Sequence, residues 1–105
     1  MKYEHMLHCQ GGRHDKVWCI IMLEEGVVQG GPGWGQSRAC RYVTVWGRRG
    51  KKLQTKIWYG TPGEANVMAA DKREKGYAPV AEADQVYPEF PADLEKAVFW
   101  ARLKI

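Results

Sequence analysis

The stretch VTVWGRRGKKLQTKIWY, residues 43–59, contains two apolar runs separated by a short basic segment with two glycines. The side chains of each run alternate between two faces, so that Trp46 shares a face with Thr44 in the first run. In the second run Trp58 shares a face with Lys56. Two alternating runs across a short glycine-containing segment predict an antiparallel β-hairpin.

The positive charge of the chain is concentrated around this hairpin. Residues 26–63 contain seven basic side chains and no acidic one, whereas residues 1–25 and 64–105 each carry a small net negative charge. Such a separation raises the positive potential over one part of the surface and attracts anions. The hairpin is therefore either a well-solvated basic turn or a surface that holds a polyanion.

Two further strands are predicted before the hairpin. The side chains of residues 3–9 alternate roughly between apolar and polar, and this run ends at a pair of glycines. Residues 24–37 carry five glycines and a proline, which predicts a long loop. Residues 17–23, between these two segments, are apolar on both faces, one formed by Val17, Cys19, Ile21 and Leu23 and the other by Trp18, Ile20 and Met22. A strand covered on both faces is expected at the centre of its sheet.

Helical signals follow the hairpin. Thr61, Pro62 and Glu64 fit a capping box that opens a helix over residues 62–75, and Gly76 fits the position that ends it. Its predicted sheet-facing residues are Ala65, Met68 and Ala69. Residues 77–80 contain a proline and are predicted to form a short edge segment.

A second helix is predicted over residues 92–104. Its apolar side is formed by Leu94, Val98, Ala101 and Ile105, and we expect Phe99, Trp100 and Leu103 to widen that face. The fold class is therefore α+β, with an antiparallel sheet of four to five strands, a helix packed on it and a C-terminal helix. We divide the chain into residues 1–80 and a C-terminal extension, residues 81–105, which packs on the same domain or on a partner.

The length of 105 residues and the ordinary globular composition predict a single domain with its own core. No apolar stretch is long enough to cross a bilayer, and the N-terminal residues lack the apolar core of a signal peptide. The three cysteines are odd in number and widely spaced, which is typical of reduced thiols. We therefore expect a cytoplasmic protein with no membrane partner.

Several segments stand in a characteristic order: Asp15-Lys16-Val17-Trp18, Trp46-Gly47-Arg48-Arg49-Gly50, Gln54-Thr55-Lys56 and, after a helix with Ala65, Lys75-Gly76-Tyr77. In this order they resemble the WGR domain family, which is named after Trp-Gly-Arg. That family occurs beside the catalytic domains of poly(ADP-ribose) polymerases and as small standalone bacterial proteins. The resemblance spans residues 15–80. Arg49 and Leu53 stand where the family usually has an apolar branched residue and a glycine, and the segment 24–37 is longer than usual.

The resemblance implies an antiparallel sheet with one helix across it, and a domain that touches DNA at a strand break. In the polymerases the Trp and Arg of the motif lie against the backbone and the terminal nucleotide, which implies such roles for Trp46 and Arg48. Gln54 and Lys56 would support them from the next strand. The same domain also contacts neighbouring protein domains in the polymerases.

The chemistry of the hairpin residues also favours nucleic acid. The planar fork of an arginine such as Arg48 matches phosphate geometry, and a Trp can stack on a sugar or an unpaired base. Glycine permits close approach of the backbone to a phosphate. The predicted contact residues are Trp46, Gly47, Arg48, Arg49, Lys51, Lys52, Gln54, Lys56, Arg41 and Tyr77. Two alternatives stay open: Trp46 packs under the helix as a core residue, or Arg48 forms a structural ion pair.

No pattern in the sequence indicates catalysis. His5 and His8 would face opposite sides of a strand, and no Cys-x-x-Cys pair completes a tetrahedral metal site. The glycine-rich run around residues 30–35 lacks the Lys-Ser/Thr pair of a phosphate loop. We therefore expect no enzyme, no catalytic residue, no cofactor and no metal.

Our functional prediction is a non-catalytic nucleic-acid-binding module that contacts the DNA backbone at ends or nicks, with DNA favoured over RNA. The alternative is a protein-interaction adaptor or a homodimerisation module that acts through residues 82–105 and the sheet face.

Overall fold

A computed structural model describes residues 2–11, 14–29 and 37–104. Its strands are β1 (Lys2–Gly11), β2 (His14–Gln29), β3 (Ser37–Arg48), β4 (Gln54–Gly60) and β5 (Ala78–Pro79). Helix α1 (Pro62–Glu74) follows β4, and a 3-10 turn (Ala83–Gln85) leads to helix α2 (Phe90–Leu103). The strands form one antiparallel sheet in the order β4-β3-β2-β1-β5. The predicted α+β class is confirmed.

Strand β2 lies at the centre of the sheet, as its two apolar faces predict. Each face belongs to a separate apolar cluster. Val17, Cys19 and Ile21 are buried on the side that receives α2. Trp18 and Ile20 are buried on the side that receives α1. The sheet is therefore the middle layer between two helices, and both faces of β2 are removed from water.

Helix α1 lies on one face of the sheet through two small residues. Ala65 and Ala69 are both 0% exposed, which lets the helix backbone approach the strands closely. Met68, which was predicted to face the sheet, is 37% exposed. At the start of the helix the Glu64 amide donates to Thr61 Oγ1 at 3.2 Å, and at its end Lys75 caps the last helical residue, Glu74.

Gly76 ends α1 in the left-handed conformation, with φ of +99°. Its amide donates to the Arg73 carbonyl at 3.1 Å, and the Tyr77 amide donates to the Lys72 carbonyl at 3.1 Å. This pair of bonds is the Schellman arrangement, which satisfies carbonyls that the helix leaves open. The Lys-Gly-Tyr segment therefore has a structural role in turning the chain from α1 towards β5.

Helix α2 covers the opposite face of the sheet. Its buried residues Phe90, Leu94, Val98 and Ala101 belong to the same apolar cluster as Val17, Val43 and Val45 of the strands. The expectation that Phe99, Trp100 and Leu103 widen this face is wrong, because they are 58%, 55% and 61% exposed. The apolar surface of α2 that the sheet covers is narrow, and a second apolar patch faces away from it. Ile105 lies outside the described residues.

The predicted loop over residues 24–37 is wrong in part. Strand β2 continues to Gln29 and pairs with β3, which begins at Ser37, while residues 30–36 lie outside the described residues. The register shifts between Glu24 and Val27, and Gly26 lies between them with φ of +73°. A glycine that interrupts an apolar run can mark a β-bulge as well as a loop, and here it marks a bulge.

No helix in the described ranges is long and apolar enough to span a membrane.

Candidate nucleic-acid interface

The hairpin between β3 and β4 ends in a tight turn. The Lys51 amide donates to the Arg48 carbonyl at 3.0 Å, and Gly50, the third residue of the turn, has φ of +80°. A positive φ at this position is what a type II turn requires, and glycine adopts it without steric cost. We call residues 48–52 the basic turn. Its four charged side chains, Arg48, Arg49, Lys51 and Lys52, are all exposed.

Leu53 fixes the base of this turn, although it departs from the family pattern. Its side chain is 8% exposed and belongs to the cluster under α2. A Cβ atom on Gly47 would lie 3.0 Å from Leu53 Cδ2 and 3.4 Å from Leu53 Cα. Gly47 therefore has a packing role, because a side chain there would push against the residue that anchors the turn.

Seven of the ten predicted contact residues line two grooves on opposite sides of the hairpin, whereas Arg41, Gly47 and Arg48 line neither. Trp46, Lys56 and Tyr77 line a groove of about 750 Å³ between α1 and the sheet, which we call the aromatic groove. Arg49, Lys51, Lys52 and Gln54 line a groove of about 1430 Å³ between the basic turn and α2, which we call the basic groove. The structure thus brings most of the predicted residues to one end of the hairpin, but to two surfaces.

The aromatic groove owes its character to three tryptophans. Trp18 and Trp46 lie directly opposite each other on β2 and β3. Trp58 donates from Nε1 to Thr44 Oγ1 at 2.8 Å and stacks on Tyr42 at 4.7 Å between ring centroids. Trp46 is half-buried against the α1 cluster and also lines the groove, so it combines a core contact with partial access to solvent.

Lys72 places a positive charge over the rings of this groove. Its Nζ atom lies 5.9 Å from the centroid of Trp18 and 5.8 Å from that of Tyr77. These distances fit cation–π contacts. Burial is the main cause that raises the pKa of the Tyr77 hydroxyl above its usual value, and Cys9 adds to it. Tyr77 is therefore held in the neutral form as part of the wall of the groove.

In the basic groove, the acid-free tract meets acidic residues from elsewhere in the chain. Arg49 lies over the ring of Tyr87 at 5.1 Å, and the Tyr87 hydroxyl donates to Asp93 Oδ2 at 3.0 Å. Burial, and then this hydrogen bond, raise the pKa of Tyr87. Glu89 and Asp93 both line the groove opposite the basic turn. The positive potential of the groove is therefore reduced by Glu89 and Asp93, which are distant from the basic turn in sequence.

The strand pairing adds a further basic residue next to the turn. Lys16 of β2 lies directly opposite Arg48 of β3, and the Arg49 amide donates to the Asp15 carbonyl at 3.1 Å. The Asp15 carboxylate is itself paired with His8 Nε2 at 2.6 Å. Arg48 has no ion-pair partner within the described ranges.

Arg41 lies apart from the other predicted contact residues. It is seven residues before Arg48 on β3, a separation of about 23 Å at the usual rise of a strand. Its guanidinium contacts Glu24 Oε2 at 3.2 Å and donates to the Tyr59 hydroxyl at 3.1 and 2.9 Å. These contacts tie Arg41 to the far end of the sheet.

Several groove residues were not identified from the sequence. Trp18, Trp58 and Lys72 complete the aromatic groove, and Lys96, Trp100 and Lys104 complete the basic groove. The sequence could have indicated the residues of the basic groove, because residues four apart on a helix share a face. It could not have indicated those of the aromatic groove, because they come from two strands and a helix that meet only in the fold.

The described ranges contain no group of three or more His, Cys, Asp or Glu side chains that could hold a metal ion. Burial raises the pKa of the Cys19 thiol to about 12, so this thiol is held as the unreactive protonated form.

No protein-family model, no curated protein and no solved structure matches the chain.

Proposed function

We propose that this chain is a non-catalytic nucleic-acid-binding module that contacts the DNA backbone at ends or nicks through the basic turn. This proposal rests on two properties of the four charged side chains of the basic turn, their exposure and their lack of ion-pair partners within the described ranges. Arg48, Arg49, Lys51 and Lys52 are exposed around a type II turn. Within the described ranges none of them has an ion-pair partner.

Phosphate is the group that this arrangement suits best. Four cations on five consecutive residues repel one another, and this repulsion is relieved when an anion binds between them. The guanidinium groups offer paired donors to phosphate oxygens, and the lysines add point charges. Such contacts fix position on a duplex but read no base sequence. The module should therefore recognise the shape of the backbone and its charge.

A strand end or a nick is favoured over continuous duplex by the position of Trp46. It lies two residues before Arg48, half-buried, with part of the ring open to the aromatic groove. A flat ring beside a phosphate-binding turn is useful only where a sugar or a base is exposed, as at a broken strand. The resemblance to the WGR pattern favours the same target.

The test is a titration of the chain with 5′-phosphorylated nicked duplex and with intact duplex of the same length. Intrinsic Trp fluorescence reports binding at two salt concentrations. We expect tighter binding to the nicked duplex, with a log–log salt slope of about −0.9 for each phosphate neutralised. Arg48→Ala should weaken binding about tenfold or more, since a hydrogen bond to a charged group contributes ~1.5–3 kcal/mol.

Arg73→Gln is the matched control, because Arg73 is also an exposed arginine but lies on α1 and not on the basic turn. It should bind like the unaltered chain. Equal affinity of Arg48→Ala and Arg73→Gln for nicked duplex would contradict the proposal.

A second candidate function rests on a different observation. Phe99, Trp100 and Leu103 form an exposed apolar patch on α2, in which the rings of Phe99 and Trp100 meet edge to face at 5.7 Å. Exposed apolar patches often mark protein contacts, so an adaptor or homodimer through α2 is the alternative.

Deletion of residues 82–105 does not test this alternative, because it removes Phe90 and Leu94 from the core. The double change Phe99→Ala and Leu103→Ala leaves the buried face intact. Sedimentation velocity over a range of concentrations should detect a dimer only in the unaltered chain if α2 forms a homodimer contact. A monomer at every concentration in both would rule out the homodimer.

A further inference from the structure

The basic groove has a second wall that lies outside the hairpin. Lys96 and Trp100 of α2 and Lys104, the residue that caps its end, stand four residues apart, so they form one stripe along the helix. This stripe faces Arg49, Lys51 and Lys52 across the groove. Ala97 of α2 is partly buried against the cluster that contains Leu53, which holds the two walls at a fixed separation.

Both walls of the groove carry basic side chains, and its two acidic residues lie on the second wall. Five basic side chains line the groove against two acidic ones, Glu89 and Asp93, and Asp93 is engaged by the Tyr87 hydroxyl. Lys96 and Lys104 are exposed and have no ion-pair partner within the described ranges. A groove with cations on both sides concentrates its potential along its floor, where a chain of phosphates would lie.

Trp100 lies between the two lysines of the stripe and is 55% exposed. An exposed ring between basic residues is the arrangement that stacks bases while the neighbouring cations hold phosphates. In a duplex every base face except the outer face of a terminal pair is covered by a neighbour, so along a strand only unpaired bases can stack on Trp100. The stripe therefore favours a single strand.

A second copy of the chain is a poor occupant of this groove. A two-fold contact through it would place the five basic side chains of one copy against those of the other, and like charges across an interface are strongly unfavourable.

We propose that the basic groove holds single-stranded DNA that continues from a duplex end or nick at the basic turn. Phosphates of the strand lie between the turn and Lys96 and Lys104, and a base stacks on Trp100. This inference rests on the proposed function, in which the basic turn holds the duplex. The stripe on α2 then holds the unpaired strand that continues from that duplex.

The experiment compares two duplexes with the same double-stranded part, one blunt and one with a single-stranded extension of about eight nucleotides, within the range that small binding domains cover. The readout is the ratio of the two dissociation constants, measured by fluorescence anisotropy of labelled DNA. The unaltered chain should bind the extended duplex more tightly. Trp100→Ala should reduce this gain by about fivefold to a hundredfold, whereas Trp100→Phe, which keeps a ring, should retain most of it.

The lysines are tested by salt dependence. Lys96→Gln with Lys104→Gln should make the log–log salt slope for the extended duplex shallower by about 1.4 and leave the slope for the blunt duplex unchanged. Arg102→Gln is the matched control, because it removes a charge from the same helix at a residue that does not line the groove. Circular dichroism melting of each variant verifies that the fold is retained.

The outcomes separate this inference from the function on which it rests. If Arg48→Ala leaves binding of both duplexes unchanged, the proposed function fails. If both duplexes bind through Arg48 but the extension gives no gain, or a gain that Trp100→Ala does not reduce, the groove proposal is overturned. A change of sedimentation in Trp100→Ala, with no change in the ratio, would make α2 a protein contact and would also overturn it.

Discussion

Replacement of Leu94 by Ala measures how firmly α2 is held on the sheet, on which the basic groove depends. Leu94 is 0% exposed and packs in the cluster shared by α2 and the strands. The change removes Cγ and both terminal methyl groups and leaves a cavity that neighbouring residues fill only in part. Leu103 on the same helix is 61% exposed, so Leu103→Ala removes the same atoms without making a cavity.

The magnitude follows from measured costs of such changes. A buried Leu→Ala change lowers the free energy of unfolding by ~2.7–5 kcal/mol, depending on the residual cavity. At ~2.1 cal/mol/K per residue, the entropy of unfolding of this chain is about 0.22 kcal/mol/K, so the melting temperature should fall by about 12 to 23 °C. Leu103→Ala should stay within ~0.5 kcal/mol of the unaltered chain.

Urea unfolding followed by far-ultraviolet circular dichroism gives both free energies, and a thermal melt gives the second measure. Both variants should retain the same slope with urea, since the surface exposed on unfolding hardly changes. Similar small losses in Leu94→Ala and Leu103→Ala would refute the placement of α2, and with it the geometry of the basic groove.

Two further changes test other parts of the fold. Burial keeps the Cys19 thiol protonated up to about pH 12, whereas the unfolded thiol ionises near its ordinary pKa of 9.0, so the unfolded chain binds fewer protons in this range and stability must fall as the pH rises. Between pH 8 and pH 10.5 the free energy of unfolding, measured with urea, should fall by about 2 kcal/mol less in Cys19→Ala than in the unaltered chain. An equal fall in both chains would contradict this account. Gly76→Ala should lower the free energy of unfolding by ~1–2 kcal/mol, because a Cβ is strained at φ of +99°. The control Gly63→Ala lies in the first turn of α1, where a Cβ meets only an ordinary contact at 3.7 Å, and it should be neutral or stabilising.

Much of the fold could be predicted because its signals are local. The alternation of β2 between two apolar faces gave its central position, and the capping residues around α1 gave both of its ends. The hairpin register follows from the length of its turn, which sets which residues of β3 and β4 are opposite each other. These features depend on residues close together in sequence, so a pattern is sufficient to find them.

The errors arose where one residue type serves two structures. The glycines of residues 24–37 predict a loop, but in the sheet Gly26 accommodates a bulge between Glu24 and Val27. The apolar character of the aromatic residues of α2 predicts that they lie on its buried face. The sheet can cover only a narrow stripe of one helix, so Phe99 and Trp100 remain outside it. Neither the bulge at Gly26 nor the exposure of Phe99 and Trp100 can be predicted from the residues nearby in sequence.

The sequence predicts only part of the candidate site, for a similar reason. A run of basic residues predicts the basic turn, but the residues that surround it in the fold come from distant segments. Lys16 lies beside Arg48 through strand pairing, while Glu89 and Asp93 reach the turn from α2. Arg41 belongs to the same acid-free tract and yet lies at the far end of β3 with Glu24. Electrostatic interactions depend on distance in space, which sequence order does not give.

The sequence by itself determined the α+β class, the hairpin with its glycine turn, the span of α1 and the concentration of positive charge between residues 26 and 63. Only the tertiary structure decided that this charge is shared between two grooves and that α2 supplies a second wall with Lys96 and an exposed Trp100. The physical reason is the range of the interactions. Backbone conformation and capping are set by near neighbours, whereas a groove is formed by the side chains that packing brings together across the sheet.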